Sequence, residues 1–270
     1  MKIINFSVLI LASFLAVSGC QTNSAISGAT SHDGESRFAE QQNREAYINS
    51  PAYINVQLGV AYMQKGDLNI ALSKLKKALQ QSPQLAIAHN SIGILYARLG
   101  EIALAESHFE RSISLDQTDS RLRNNYGRFL CQHRTLDAAI VQFDLAANNP
   151  LYQTPYRPLV NAGICSLNGN KLEQAEGYLR KALRQQPKLA LALSAMVKLK
   201  VLQNQHAQGK AYLQRYLAVA KHSADTLWYG YQIEKKLGNI STANNYAVRL
   251  KTRYPDSEQT RLLLSQLNVK

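Results

Sequence analysis

The chain repeats itself. Gly59, Tyr62, Gly66, Ala71, Leu75 and Ala78 return 34 residues later as Gly93, Tyr96, Gly100, Ala105, Phe109 and Ser112. A period of this length marks one supersecondary unit that cannot bury its apolar face alone and must stack on copies of itself. The pattern continues. The helix-A glycines Gly59, Gly93, Gly127 and Gly163 stand 34, 34 and 36 apart, and the helix-B series Ala71, Ala105, Ala139, Ala175, Gly209 and Ala243 needs only one two-residue insertion. Leu75, Phe109, Phe143, Leu179, Leu213 and Ala247 run in parallel, four residues later. A small residue on one helix admits the second, and the bulky residue one turn on fills the space between them.

Small, aromatic and small residues at these offsets form the tetratricopeptide (TPR) pattern. The expected fold is all-α: a superhelical TPR solenoid of about six helix-turn-helix repeats over 49–257, at about 52–85, 86–119, 120–153, 156–189, 190–223 and 224–257. Pro83, Pro187 and Pro255 stop helix B at one shared offset, and Pro150 does so one residue early. The insertion, 148–158, reads NNPLYQTPYRP and predicts a longer turn without helical pattern. Repeat five is degenerate, with Val197 in the Gly position and Tyr216 where a small residue belongs. Repeat six has Tyr231 there, beside Gly230. Residues 258–270, with Leu262, Leu263, Leu264 and Leu267, predict a helix that caps the apolar end of the stack.

Before the array, Met1 to Cys20 reads as a targeting segment. Lys2 is followed by a mostly apolar run too short to span a bilayer well, and the segment ends Val17-Ser18-Gly19-Cys20. That ending resembles the bacterial lipobox. The resemblance implies removal of the signal peptide, 1–19, acylation of Cys20 with chains such as palmitate, and, with Gln21 rather than Asp next, outer-membrane sorting. Residues 20–48 then read as the lipidated N-terminus and a polar tether.

The chain carries 31 Lys+Arg against 18 Asp+Glu, a formal charge of +13, which favours an anionic partner. Export demotes nucleic acid, leaving a membrane protein, phospholipid head groups or peptidoglycan. No catalytic motif occurs: no His-Glu-x-x-His, no phosphate-binding Gly loop, no Gly-x-Ser-x-Gly elbow. His32, His89, His108, His133, His206 and His222 lack metal-ligand spacing and read as surface side chains. No cofactor and no enzyme activity are expected.

TPR arrays bind through the groove lined by stacked A helices. The A-helix positions read as free of packing are Val56, Val60 and Met63, then Asn90, Ile94 and Arg98, then Asn124, Asn125 and Arg128, then Val160 and Ile164. The groove would begin apolar and become polar and basic. Asn can pair with an extended backbone and Arg with a carboxylate. Some of the apolar residues have packing against neighbouring helices as their alternative. Cys131 and Cys165 lie 34 apart on neighbouring A helices, close enough either to bridge or to fill core gaps as thiols.

The segments Asn124-Asn125-Tyr126-Gly127-Arg128-Phe129-Leu130-Cys131, Asn149-Pro150-Leu151-Tyr152 and Asn161-Ala162-Gly163-Ile164-Cys165 are not general TPR wording. They resemble the type IV pilus biogenesis/stability lipoprotein family (PilF/PilW). The resemblance, from residue 1 to about 257, implies an outer-membrane pilotin that binds the pilus secretin and promotes its localisation and multimerisation. It also implies that Cys131 and Cys165 pair. The competing reading is a general periplasmic adaptor recruiting proteases or peptidoglycan enzymes.

Overall fold

The computed structural model describes residue 46 and residues 48–268. The leader, Cys20 and most of the tether lie outside them. Among the described residues the secondary structure is thirteen α-helices and no strands.

Helices pair as A and B within each repeat: α1 (Pro51–Lys65) with α2 (Leu68–Gln81), α3 (Ala86–Leu99) with α4 (Ile102–Leu115), and α5 (Ser120–His133) with α6 (Leu136–Ala147). The series continues as α7 (Tyr156–Asn168) with α8 (Leu172–Gln185), α9 (Ala190–Leu202) with α10 (His206–Leu217), and α11 (Ala224–Lys236) with α12 (Ile240–Arg253). α13 (Glu258–Asn268) follows. A helices stack on A helices, so α3 packs between α1 and α5, and α5 between α3 and α7. This is the TPR solenoid.

Local sequence explains the ends. Ser50 caps α1 by accepting the Tyr53 N–H at 3.2 Å, with Pro51 opening the helix where its missing N–H costs nothing. The turn from A to B needs a left-handed residue. Gly66, Gly100 and Gly238 supply it, and Asn170 and Asn204 fill the same repeat position at φ 56° and 58°. Repeat three has Arg134 there and turns differently, with Thr135 capping α6.

The A–B contact is as tight as the pattern requires. A Cβ on Gly127 would lie 2.7 Å from the Phe143 ring. In repeat six this contact shifts by one residue: the close approach is Gly230 to Tyr246, and Tyr231 turns into the core. Repeat five closes without a glycine on its A helix, burying Val197 in one cluster with Leu213 and Tyr216.

Two expectations are corrected here. The turn at 148–158 is shorter than its composition suggested, because Tyr156, Arg157 and Pro158 form the first turn of α7, where proline is tolerated. The terminal helix also does less than cap. α13 buries Leu263 and Thr260 but leaves Leu262, Leu264 and Leu267 each more than 40% exposed. It starts 34 residues after α11 and so stands at the A-helix position of a seventh repeat.

Candidate functional site

The structure sorts the expected groove residues by what already touches them. Val56, Met63 and Val160 are 2%, 4% and 4% exposed and belong to the core, which overturns their assignment to an open groove. An A helix packs against its own B helix and against A helices on both sides, leaving only a narrow stripe free. Val60, Ile94 and Ile164 are half-buried against the same clusters. The groove therefore does not begin apolar.

The asparagines pair with each other. Asn125 donates to the Asn90 side-chain oxygen at 2.8 Å, and Asn161 donates to Asn124 at 2.9 Å, stitching α3 to α5 and α5 to α7. Asn90 is buried, contrary to its expected exposure, and its Nδ2 has no hydrogen-bond partner among the described residues. A buried orphan donor costs about 1–3 kcal/mol until a partner is found. Arg98 donates to the Met63 carbonyl at 2.9 Å and so caps the end of α1 rather than standing free. Arg128 is exposed, with no hydrogen bond or ion pair among the described residues.

Four of the expected residues converge. Ile94 and Arg98 on α3 and Asn125 and Arg128 on α5 line a cleft of 440 Å³, together with Ala97, Phe109, Phe129, Gln132 and His133. Its wall is aromatic: the Phe109 and Phe129 rings are centred 5.1 Å apart, and the His133 ring lies 5.1 Å from Phe129. No lining residue is acidic. Such a recess offers apolar contact, a free guanidinium and no competing carboxylate. It suits an extended polypeptide with an acidic group. Phe129, Gln132 and His133 were missed in the sequence. They follow Arg128 and Asn125 at helical spacing and could have been found from the face those two residues share.

Cys131 and Cys165 form a disulfide with Cα atoms 5.9 Å apart, joining α5 to α7 across the two-residue insertion. The histidine expectation fails twice: His222 is buried, with its ring edge-on to Tyr246, and two other histidines pair. His89 and His108, nineteen residues apart, meet with their Nδ1 atoms at 3.0 Å. The Nε2 of His89 faces the Pro83 carbonyl at 3.1 Å. With Nε2–H donated there, His89 Nδ1 accepts and His108 Nδ1–H donates, so the pair is neutral. Burial pushes both rings below the usual histidine range. Arg111 adds to this at His89, and His89 adds to it at His108. Among the described residues no group of three or more His, Cys, Asp or Glu is placed to hold a metal ion.

Tetratricopeptide-repeat family models match residues 59–100 and 86–119. The type IV pilus assembly protein PilF of Pseudomonas aeruginosa is 29% identical over 217 residues, 79% of this chain and 82% of PilF. The crystal structure of PilW, a widely conserved type IV pilus biogenesis factor, superposes with a TM-score of 0.73 at 31% identity, covering 80% of this chain and 99% of that one. The chain belongs to the PilF/PilW family. A solved structure of Pseudomonas aeruginosa PilF agrees, with a TM-score of 0.71 at 26% identity over 80% of this chain and 97% of that one. In this PilF/PilW chain the segment 124–131 forms most of α5. That helix lines the cleft, carries the asparagine pairs and bears Cys131.

Proposed function

We propose that the protein is a pilotin: a lipid-anchored scaffold, not an enzyme, facing the periplasm from the outer membrane. It binds the type IV pilus secretin and promotes its localisation and multimerisation. Family membership carries the reading, through PilF and PilW, which are named for pilus assembly and biogenesis. The acyl chains on Cys20 supply the membrane, and the 20–48 tether supplies reach. The cleft between α3 and α5 holds a secretin segment by its apolar side chains, while Arg128 pairs with a carboxylate.

Two variants test the links separately. Arg128→Glu, at an exposed position, reverses the cation without touching the core, and adding Ile94→Ser removes a half-buried apolar side chain of the cleft. The expected result is loss of secretin co-purification and of secretin multimers. Unchanged capture would show the cleft assignment wrong. Cys20→Ala should leave a soluble scaffold and mislocalised secretin. Normal multimers at the outer membrane in that variant would end the delivery role.

A further inference from the structure

The positive charge of the array is lopsided. Residues 51–155 hold 10 Lys+Arg and 8 Asp+Glu, whereas residues 156–268 hold 17 and 6. In a solenoid, sequence position maps onto position along the stack. Repeats one to three are therefore nearly neutral, and the far end is strongly basic.

A second recess lies in that basic end, on the same A-helix face as the first. It measures 550 Å³ and is bounded by α9, the start of α10, α11 and α13. Val201 and Gln232 line it at the repeat positions that Ala97 and Arg128 hold in the α3–α5 cleft, three repeats earlier. Tyr231 faces it from α11, stacked on Trp228 with ring centroids 5.7 Å apart. Lys235 sits over the Tyr231 ring and donates to its hydroxyl at 3.0 Å. Lys236, beside it, is exposed and has no hydrogen bond or ion pair among the described residues. His206 completes the lining, its Nδ1 without a hydrogen-bond partner. No lining residue is acidic.

We infer that this recess is a second docking site, separate from the α3–α5 cleft, and that its ligand is an extended, acidic polypeptide segment. Charge complementarity argues for the acid. Shape argues for a chain: two ammonium groups on the wall of a recess between successive helices are reached by a strand, whereas a flat bilayer meets only the rims. Tyr231, 4% exposed, forms only the floor of the recess, and Lys236 and Lys235 on its wall bind the carboxylates.

The test uses the full chain in detergent and a short fluorescent peptide of alternating glutamate and leucine, with its glutamine counterpart as control. Fluorescence anisotropy should show binding of the glutamate peptide only, weakened by salt. The double variant Lys235→Gln, Lys236→Gln should weaken it about tenfold. Lys251→Gln with Arg253→Gln, which removes the same charge from α12, should leave it unchanged, and the loss on Lys235→Gln, Lys236→Gln should persist in an Arg128→Glu background, where the α3–α5 cleft no longer contributes. Equal losses from the α12 pair would mean diffuse attraction and overturn the proposal. So would an unaffected Lys235, Lys236 variant, or loss only with Arg128→Glu. Co-sedimentation with phosphatidylglycerol vesicles that depends on Lys235 and Lys236, without peptide binding, would assign the recess to lipid instead. The secretin experiment reads the other cleft, so either idea can fail alone.

Discussion

The ammonium of Lys200 sits 2.8 Å from a carboxylate oxygen of Glu176. Lys200 is 1% exposed, and its remaining donors go to Gln203 at 2.9 Å and Gln205 at 2.7 Å. Thirty-four residues on, the same two repeat positions meet again with the signs exchanged: Glu234, also buried, lies 2.9 Å from Lys210. Each bridge ties an A helix to the B helix of the preceding repeat. Together they hold the degenerate repeats five and six in line.

Glu176→Gln should therefore destabilise the array by about 3 kcal/mol, because it leaves a buried ammonium without its counter-charge. The double change Lys200→Met, Glu176→Leu should cost much less, since no buried charge is stranded. Urea titration followed by the fluorescence of Trp228, the single tryptophan, reads both. Equal losses in the two variants would mean that packing, not charge, is what the pair supplies.

The same carboxylate sets an acid limit. Burial pushes the Glu176 carboxyl up, but hydrogen bonds from Lys200, Gln203 and Arg180 outweigh it and hold the group at about 2, below its ordinary 4.5. A depressed carboxylate adds stability that is complete above 4.5 and lost as pH falls toward 2. Stability should fall through that window in the parent chain and fall less steeply in Glu176→Gln.

The histidine pair acts at milder pH. Both rings are held below 6.5, so protonation opposes folding, and the neutral pair stabilises fully only above that value. Melting temperature should drop as pH is lowered from 7 through the histidine range. His108→Phe, which keeps a ring against Tyr96, should flatten the curve in part; the rest belongs to His222, which burial, with Arg249 and Arg253, holds at about 4. A profile unchanged by that substitution would remove the pair as its source.

Glycines on the two faces of a repeat should respond oppositely to alanine. At Gly163 the new methyl would lie 2.7 Å from Leu179, and overpacking of this kind costs about 1–3 kcal/mol. At Gly177, exposed in the middle of α8 with nothing within 4 Å, the helix should gain about 1 kcal/mol. Thermal melts of the two variants shifting in the same direction would contradict the packing described here.

The disulfide closes a 34-residue separation between repeats three and four. Cys131→Ser with Cys165→Ser should lose about 2–4 kcal/mol, chiefly through a freer unfolded chain. A reductant should lower the melting temperature of the parent and leave that of the variant unchanged.

The 34-residue period determined the fold class, the helix pairs and the small-to-large contacts such as Gly127 with Phe143, because each depends on residues within one repeat. Segment 124–131 pointed to the family, because its wording exceeds what TPR packing demands. The open face was only partly legible. Ile94, Arg98, Asn125 and Arg128 do share a cleft, but Val56, Met63 and Val160 are consumed by packing and Asn90 by a neighbouring asparagine. Those losses depend on which helix lies alongside, which spacing within one repeat does not encode. The sign-reversed bridges at Lys200 and Glu234 were likewise settled only by stacking, whereas the His89–His108 pair and the one-residue shift to Gly230 lie within one repeat and were decided by how its two helices pack. Periodicity dictates what each repeat can form. The tertiary structure decides which side chains remain free once neighbouring repeats have buried the rest.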